Sequence, residues 1–285
     1  MTTIWGGLSD GALYALAGIV FALPLVRCGL INFAQTYYIV LGNYLVFDMT
    51  NSHWSWVLML VLLGAVGGVL GGVQEILTVR PTKGRHETAL VTTVGVGIAV
   101  SGVILAHWGA TPGVVPFFGG NNPFTLLGGR LAPDDLVLII LALVVAVGFH
   151  LAVGYTRWGL LGRASMADGT VAMLRGLNIP RLRTSAFILA SALSCSLALF
   201  AAPKMGASLD PALNLALFAF AAAAIGGFGS FAGTAFGGFF IGIVGAFAAR
   251  YLGADWVDIV IFGILAGLLV LRPQGLFGAP QVRVI

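Results

Sequence analysis

The chain has 285 residues, of which 59% are hydrophobic and only 8% are charged, and its mean hydropathy is +1.02. A soluble domain carries about 25% charged residues, so this composition excludes that class and predicts a polytopic membrane protein. The apolar runs are long and continuous, which predicts membrane-spanning helices and excludes a β-barrel. The net charge of +4 indicates loops kept in the cytoplasm and not nucleic-acid binding, and the two cysteines form no disulfide or metal pattern.

The first two predicted spans cover residues 4–26 and 30–49. No Lys or Arg precedes the first span, so we expect a permanent span and not a cleaved signal peptide. The second span carries four polar side chains, which are costly against lipid and are therefore expected to face the bundle interior or a watery path. Substrate-path lining and interhelical hydrogen bonding are both open interpretations. The four residues are Asn32, Gln35, Thr36 and Tyr37.

The next spans are predicted at residues 54–78, 88–108 and 136–155. The third span has glycines at four-residue spacing, which predicts a tight helix contact. These glycines are Gly64, Gly68 and Gly72, with Gly67 and Gly71 interleaved. Thr92 and Thr93 in the fourth span are further candidates for a substrate path. Between the fourth and fifth spans, the Gly-, Pro- and Asn-rich stretch at about 109–135 predicts an external loop.

The most polar stretch of the chain, residues 163–180, predicts a short helix outside the membrane. Ser165 and Asp168 form a capping-box pattern at its start, and Gly176 offers a left-handed position at its end. At 1.5 Å per residue the helix is roughly 15 Å long, too short to cross a bilayer. Its narrow apolar stripe leaves two hypotheses open, which are a helix resting at the membrane interface and a helix docking onto a partner protein.

The last part of the chain combines apolar runs with a dense cluster of glycines. A sixth span is predicted at residues 184–202, a seventh apolar run leads into the glycines, and two more spans follow at 231–251 and 256–271. Because glycine costs about 1 kcal/mol against alanine within a helix, the cluster predicts a broken or tightly packed segment. The glycines assigned to helix packing are Gly226, Gly227, Gly229, Gly233 and Gly237.

The basic residues predict the orientation. With the N-terminus outside and nine spans, the stretch 163–180 and the C-terminus lie on the face that carries most Lys and Arg residues, which the positive-inside rule makes cytoplasmic. That face holds Arg27, Arg80, Lys83, Arg85, Arg157, Arg163, Arg175, Arg181, Arg183, Arg272 and Arg283, whereas the other holds Arg130, Lys204 and Arg250.

Several motifs, in order over nearly the whole chain, carry a family resemblance. They are Leu30-Ile-Asn-Phe-Ala-Gln35, Val79-Arg-Pro81, the stretch 163–178, Gly226-Gly-Phe-Gly-Ser230 and Arg272-Pro-Gln-Gly-Leu276. With them the chain resembles the permease subunit of the branched-chain amino-acid ABC importers, of the high-affinity hydrophobic amino-acid uptake type. The resemblance implies one permease domain over residues 1–285. That domain would be an all-α polytopic membrane bundle of about eight or nine transmembrane segments, with a short cytoplasmic coupling helix in a loop at about 156–183.

The resemblance also implies the partners and the location. Two cytoplasmic ABC ATPase subunits would bind ATP and Mg, since the chain has no GxxxxGK[ST] phosphate loop and is expected to hold no cofactor. A second related permease subunit, membrane lipid and a periplasmic or extracellular substrate-binding protein complete the surroundings in the bacterial inner (plasma) membrane. The implied ATPase-coupling residues are Arg163, Ala167, Asp168, Ala172, Gly176 and Asn178, although family members often have glutamate at the position of Ala167.

Two departures and two other classes stay open at this point. Thr36-Tyr37 replace the Gly-Glu pair that is common in the family, so the solute could differ from leucine, isoleucine and valine. A secondary transporter would carry coupling carboxylates within its spans, and only Asp10 and Glu75 are candidates. A membrane enzyme would need a convergent catalytic or metal set, but the histidines are scattered, so no catalytic or metal site is expected.

We expect Asp168→Arg to leave the protein in the membrane but to uncouple it. The substitution puts a cation at a helix N-terminus within a contact surface, where the helix dipole disfavours it. Membrane abundance and ATP-dependent solute uptake measure the two effects separately. Normal uptake at normal abundance would contradict the docking hypothesis.

Overall fold

A computed structural model describes residues 2–82, 85–117, 123–126, 128–167 and 169–278, and this part of the chain is almost entirely helical. A π-helical turn at Glu75–Val79 and a 3₁₀ turn at Arg80–Thr82 continue the third helix, and another 3₁₀ turn at Ala254–Trp256 precedes the last. The short strands β1 (Phe124–Leu126) and β2 (Gly129–Leu131) pair antiparallel. The helices are α1 (Thr2–Cys28), α2 (Ala34–Asn51), α3 (Trp56–Gln74), α4 (His86–Trp108), α5 (Pro133–Tyr155), α6 (Arg157–Ala167), α7 (Gly169–Leu174), α8 (Ile179–Met205), α9 (Pro211–Gly226), α10 (Phe231–Tyr251) and α11 (Val257–Leu271).

Seven helical segments among the described residues are long and apolar enough to cross a membrane. The all-α polytopic membrane bundle is therefore confirmed. The predicted seventh run corresponds to α9, whose 16 residues extend about 24 Å, less than the hydrocarbon thickness of about 30 Å. The predicted second span corresponds to α2, which is not among these seven segments. The seven segments are Thr2–Cys28, Trp56–Thr82, His86–Trp108, Pro133–Tyr155, Ile179–Met205, Phe231–Tyr251 and Ala254–Leu271.

Backbone contacts divide the chain into two compact units. The first unit comprises Met1–Ala22, Pro123–Leu151 and Leu217–Ile285, and the second comprises Leu23–Asn122 and Ala152–Ala216. Neither unit is continuous in sequence, so each depends on packing between helices that are distant along the chain. A single permease domain over residues 1–285 stays a prediction.

In the second unit, α3 packs closely against α8 along the glycines of α3. A Cβ atom added at Gly71 would lie 2.5 Å from Ser191 Oγ and 2.6 Å from the carbonyl oxygen of Phe187. Gly67 is equally close to the Ser191 backbone, and both glycines are buried. The centre of the contact thus lies on the interleaved glycines. The predicted row lies beside it, where an added Cβ would be 3.2 Å or more from its neighbours, at Gly64, Gly68 and Gly72.

In the first unit, the glycine cluster forms the turn between α9 and α10 and the close contact of these two helices. Gly226 of α9 directly abuts Gly233 of α10, and Gly237 abuts the carbonyl of Ala222. Gly227 has φ +96°, which glycine adopts without steric cost, and the residues that follow the last helix hydrogen-bond to this turn. Gly229 lies in the turn with open space beside it. The prediction of a broken and tightly packed segment is confirmed.

The α3–α8 contact generates a prediction about opposite effects of one substitution at two glycines. We expect Gly71→Ala to lower the thermal stability of the purified protein, because the added Cβ forces α3 and α8 apart, at a cost of about 1–3 kcal/mol. Gly95→Ala on α4 is the matched control, since nothing lies within 4 Å of an added Cβ there and alanine is the better helix former. Thermal unfolding in detergent, followed by size-exclusion chromatography, measures both variants. Equal stability of the two variants would contradict the tight contact.

Candidate functional site

The predicted coupling loop, residues 156–183, contains the helices α6 and α7 and the start of α8. The prediction that a helix begins with a cap at Ser165 is wrong, because Ser165 lies inside α6. The helix starts earlier because the Thr156 hydroxyl accepts a hydrogen bond from Gly159 N at 3.4 Å and caps the first turn of α6. This earlier cap places Ser165 in the helix interior. Asp168, the other half of that pattern, lies outside the described residues.

The end of α7 is fixed by backbone hydrogen bonds. Leu177 N donates to the carbonyl of Ala172 at 3.0 Å, and Gly176 N donates to the carbonyl of Met173 at 2.9 Å. This pair of bonds is a Schellman motif, which requires a left-handed residue at the C′ position. Gly176 has φ +86°, which confirms the left-handed position predicted at the end of the helix.

Asn178 begins the next helix. Its side-chain oxygen accepts a hydrogen bond from Arg181 N at 3.0 Å, so Asn178 is the N-cap of α8. The turn at Gly176 ends α7 and the Asn178 cap begins α8, so only residues 175–178 connect the two helices. Any contact of Asn178 with an ATPase subunit stays a prediction.

The remaining coupling candidates differ in exposure. Arg163 of α6 is exposed, and its guanidinium donates to the carbonyl of Gly154, near the C-terminal end of α5, at 3.5 Å. Ala172 is buried and therefore points into the protein. The side chain of Ala167 lies outside the described residues. Apolar side chains dominate the exposed surface of α6 and α7, at Leu160, Leu161, Val171, Met173 and Leu174.

The candidate substrate path falls on a buried hydrogen-bond network, here called the amide network, of Asn32, Gln35, Tyr38, Gln74, Ser191 and Ser194. Asn32 and Gln74 form a reciprocal amide pair that joins α3 to the start of α2, with N–O distances of 3.1 Å and 2.9 Å. The Tyr38 hydroxyl donates to the same Gln74 oxygen at 3.0 Å. Asn32 also accepts from Ala34 N, so it orients the first turn of α2.

The other half of the amide network joins α2 to α8. Ser194 Oγ donates to Gln35 Oε1 at 2.7 Å, and Gln35 Nε2 donates to Ser191 Oγ at 3.3 Å. Asn32, Gln35 and the two serines are completely buried. These are interhelical hydrogen bonds, which satisfy polar groups that lipid cannot.

The other path candidates lie around this network. Thr36 and Thr93 are completely buried, and the Thr93 hydroxyl accepts from Phe33 N at 3.3 Å. Tyr37 is half-buried, with its ring against Gly97 of α4, and the Thr92 hydroxyl donates to a carbonyl of its own helix. None of these contacts distinguishes a solute path from packing, so substrate-path lining stays a prediction for all six candidates.

A charged cluster lies directly beside the amide network, at the end of α3. We call it the Glu75 cluster, and it consists of Glu75, Arg80, Arg183 and Thr184. Arg183 Nε donates to Glu75 Oε1 at 2.8 Å, and Arg80 Nη2 donates to Glu75 Oε2 at 3.1 Å. The Thr184 hydroxyl donates to Glu75 Oε2 at 2.8 Å. The cluster therefore joins the end of α3 to the second turn of α8.

Burial makes these contacts important for stability. The Glu75 side chain has no solvent exposure and that of Arg183 has 13%, so neither charge is well solvated without the other. Removing one partner of a buried pair typically costs about 3–5 kcal/mol. Arg80 is 48% exposed and contributes less, because water competes for its guanidinium. The sequence marks Glu75 only as a candidate coupling carboxylate, since two of its partners, Arg183 and Thr184, are more than 100 residues away along the chain.

At the other end of α2 and α3 lies a cavity of about 340 Å³. Buried apolar side chains, Met59 and Leu199 among them, form its floor, and aromatic residues including Trp54 and Trp56 form its rim. Among the residues the structure describes, no group of three or more His, Cys, Asp or Glu side chains is placed to hold a metal ion.

These features define a class and then a family. Apolar spanning helices around a buried polar network, with an exposed helical segment between two of the spans, are those of a multi-pass helical membrane protein. Residues 3–269 match the family of the branched-chain amino acid transport system permease component. The match covers most of the chain, so the chain belongs to this family.

Curated relatives are similar to the chain over nearly its whole length. The chain is 27% identical to the high-affinity branched-chain amino acid transport system permease protein BraD of Pseudomonas aeruginosa, over 97% of this chain and 95% of that protein. It is 26% identical to LivH of Escherichia coli, over 98% and 96%, and 26% identical to a probable LivH of Methanocaldococcus jannaschii, over 96% and 91%. No solved structure matches the chain significantly.

The amide network generates a prediction that separates packing from solute contact. We expect Asn32→Leu and Gln74→Met each to lower the free energy of unfolding by about 1–3 kcal/mol, because each strands a buried amide. The double variant is expected to lose less free energy of unfolding than the two single variants lose together, since neither amide then remains without its partner. Thermal unfolding in detergent measures the three variants, with the exposed Gln274→Met as control. A loss in the double variant equal to the sum of the two single losses would contradict a direct contact between the two amides.

Proposed function

We propose that this chain is the transmembrane permease subunit of an ATP-driven ABC importer for branched-chain amino acids or a related small organic solute. The observation that carries the proposal is the family match over residues 3–269. The named relatives are permeases of branched-chain amino acid transport systems, and the chain covers at least 91% of each. A full-length match supports the role of a whole permease subunit.

The exposed surface of α6 and α7 supports contact with an ATPase subunit. Leu174 is 84% exposed and Met173 is 53% exposed, and both lie on α7, which is too short to cross the bilayer. Contiguous exposed apolar side chains of this kind mark protein or membrane contact sites. In the proposed complex they fill a groove of the ATPase, and the exposed Arg163 supplies a polar contact beside them.

The division of labour follows from this arrangement. Two cytoplasmic ATPase subunits bind ATP and Mg, and a periplasmic or extracellular binding protein delivers the solute to the outer loops. Closure of the ATPases moves the segment of α6 and α7, and the permease pair changes between outward-open and inward-open states. In the proposed orientation the N-terminus lies outside and the C-terminus in the cytoplasm of the bacterial inner membrane. The basic residues support this orientation, which requires α2 and α9 to cross the membrane together with the seven apolar segments.

A secondary transporter is not supported. Such a transporter would need a buried carboxylate that exchanges a proton or an ion during each cycle. Glu75 is buried, but both of its oxygens are engaged by Arg183, Arg80 and Thr184, which leaves neither oxygen open to a transported ion. The curated relatives are permeases of multi-component transport systems.

The test reconstitutes the chain with a second related permease, an ABC ATPase and a substrate-binding protein from the same organism. We expect ATP-dependent uptake of labelled leucine, isoleucine or valine that an uncoupler does not abolish. We expect Leu174→Glu to reduce ATPase co-purification about tenfold, because it places a charge in an apolar contact. Uptake without ATP that an uncoupler abolishes would contradict the proposal.

Leu252→Glu is the matched control for this test. Leu252 is 57% exposed and follows α10, on the face that is predicted to be external. The same substitution there is expected to leave ATPase co-purification unchanged. An equal loss in both variants would indicate general misfolding and remove the support for docking through α7.

A further inference from the structure

The coupling segment is rigidly connected to the first turns of α8. Only residues 175–178 separate α7 from α8, and their backbone is held by the Schellman bonds at Gly176 and Leu177 and by the Asn178 cap. A displacement of α7 is therefore delivered to the start of α8 and is not absorbed by a flexible linker. Arg183 and Thr184 lie in the second turn of α8, immediately after this connection.

A π-helical turn places Glu75 and Arg80 on one side of the chain. Pro81 has no N–H, and its ring crowds the backbone of the preceding turn, which disfavours a regular α-helix there. The chain instead forms the turn Glu75–Val79, in which Arg80 N donates to the carbonyl of Glu75. This i→i+5 bond stacks Arg80 beneath Glu75, so that its guanidinium reaches both the carboxylate and Thr184. Such π-turns are rare and occur frequently at functional sites.

The neighbouring residue continues the connection to a third helix. Gln74 precedes Glu75 directly, and its amide is hydrogen-bonded to Asn32, which lies just before α2, and to Tyr38 of α2. The end of α3 thus holds α8 through a carboxylate and α2 through an amide. The Glu75 side chain is completely buried and the Gln74 side chain nearly so, which keeps water from replacing either contact.

We infer that Glu75 is a positioning residue, which passes the movement of the coupling segment from the start of α8 to α3 and α2. The inference rests on the proposed function, since it requires an ATPase that moves the segment. Glu75 touches neither solute nor nucleotide in this role. Its loss is expected to separate ATP hydrolysis from transport, whereas a residue needed only for folding would reduce both together.

The experiment measures ATP hydrolysed per solute imported by the reconstituted complex. We expect Glu75→Gln to leave binding-protein-stimulated ATP hydrolysis within about twofold of wild type and to raise the ATP-to-solute ratio about tenfold, within the range of known coupling energies. Glu75→Asp keeps the charge and is expected to restore most of the wild-type ratio. Glu87→Gln is the matched control, because Glu87 is exposed in the first turn of α4 and takes no part in the cluster.

Thr184→Val covers the case in which Glu75→Gln does not assemble. It removes one donor to Glu75 without leaving a buried charge unpaired, and we expect it to raise the ratio about threefold. A wild-type ATP-to-solute ratio in the Glu75→Gln variant would overturn the inference and leave the proposed function standing. If Glu75→Gln does not assemble, a wild-type ratio in the Thr184→Val variant has the same meaning. A wild-type complex that imports nothing with ATP would overturn both.

Discussion

A carboxylate buried within a membrane protein depends on the cations and donors around it, and Glu75 imposes this constraint on the second unit. Its two oxygens are shared among Arg183, Arg80 and Thr184, so the end of α3 can lie only where the start of α8 supplies those groups. The requirement is stronger than in a soluble protein, because lipid offers no replacement hydrogen bonds. The amide network beside it applies the same constraint to α2.

Polar contacts of this kind specify which helices meet, but they do not bring helix backbones together. That part falls to small residues, since apolar side chains gain nothing by leaving lipid for one another. Gly67 and Gly71 allow α3 to approach α8 until backbone meets side chain near Ser191. The same serine accepts a hydrogen bond from Gln35, so close packing and polar satisfaction coincide at one point of α8.

Much of the helical architecture could be predicted from the sequence, because hydropathy along one helix is a local property. The buried polar side chains of α2 could also be foreseen from their cost in lipid. The sequence predicts the contact along Gly64, Gly68 and Gly72, one position away from its centre at Gly67 and Gly71. Both sets of glycines have the same four-residue spacing, so the spacing rule does not distinguish them. The predicted helix start at Ser165 is wrong because a cap at Thr156 begins α6 earlier in the chain.

The partners of Glu75 could not be predicted, because nothing in a single sequence relates position 75 to position 183. Their arrangement bears on how such a permease uses energy. A transporter that couples through a buried carboxylate must release that group during each cycle, whereas both oxygens of Glu75 are held by Arg183, Arg80 and Thr184. A transporter driven by an external ATPase needs the reverse, which is a connection that keeps its geometry while it is moved. A short link from α7 into α8, closed by a buried ion pair onto α3, meets that need.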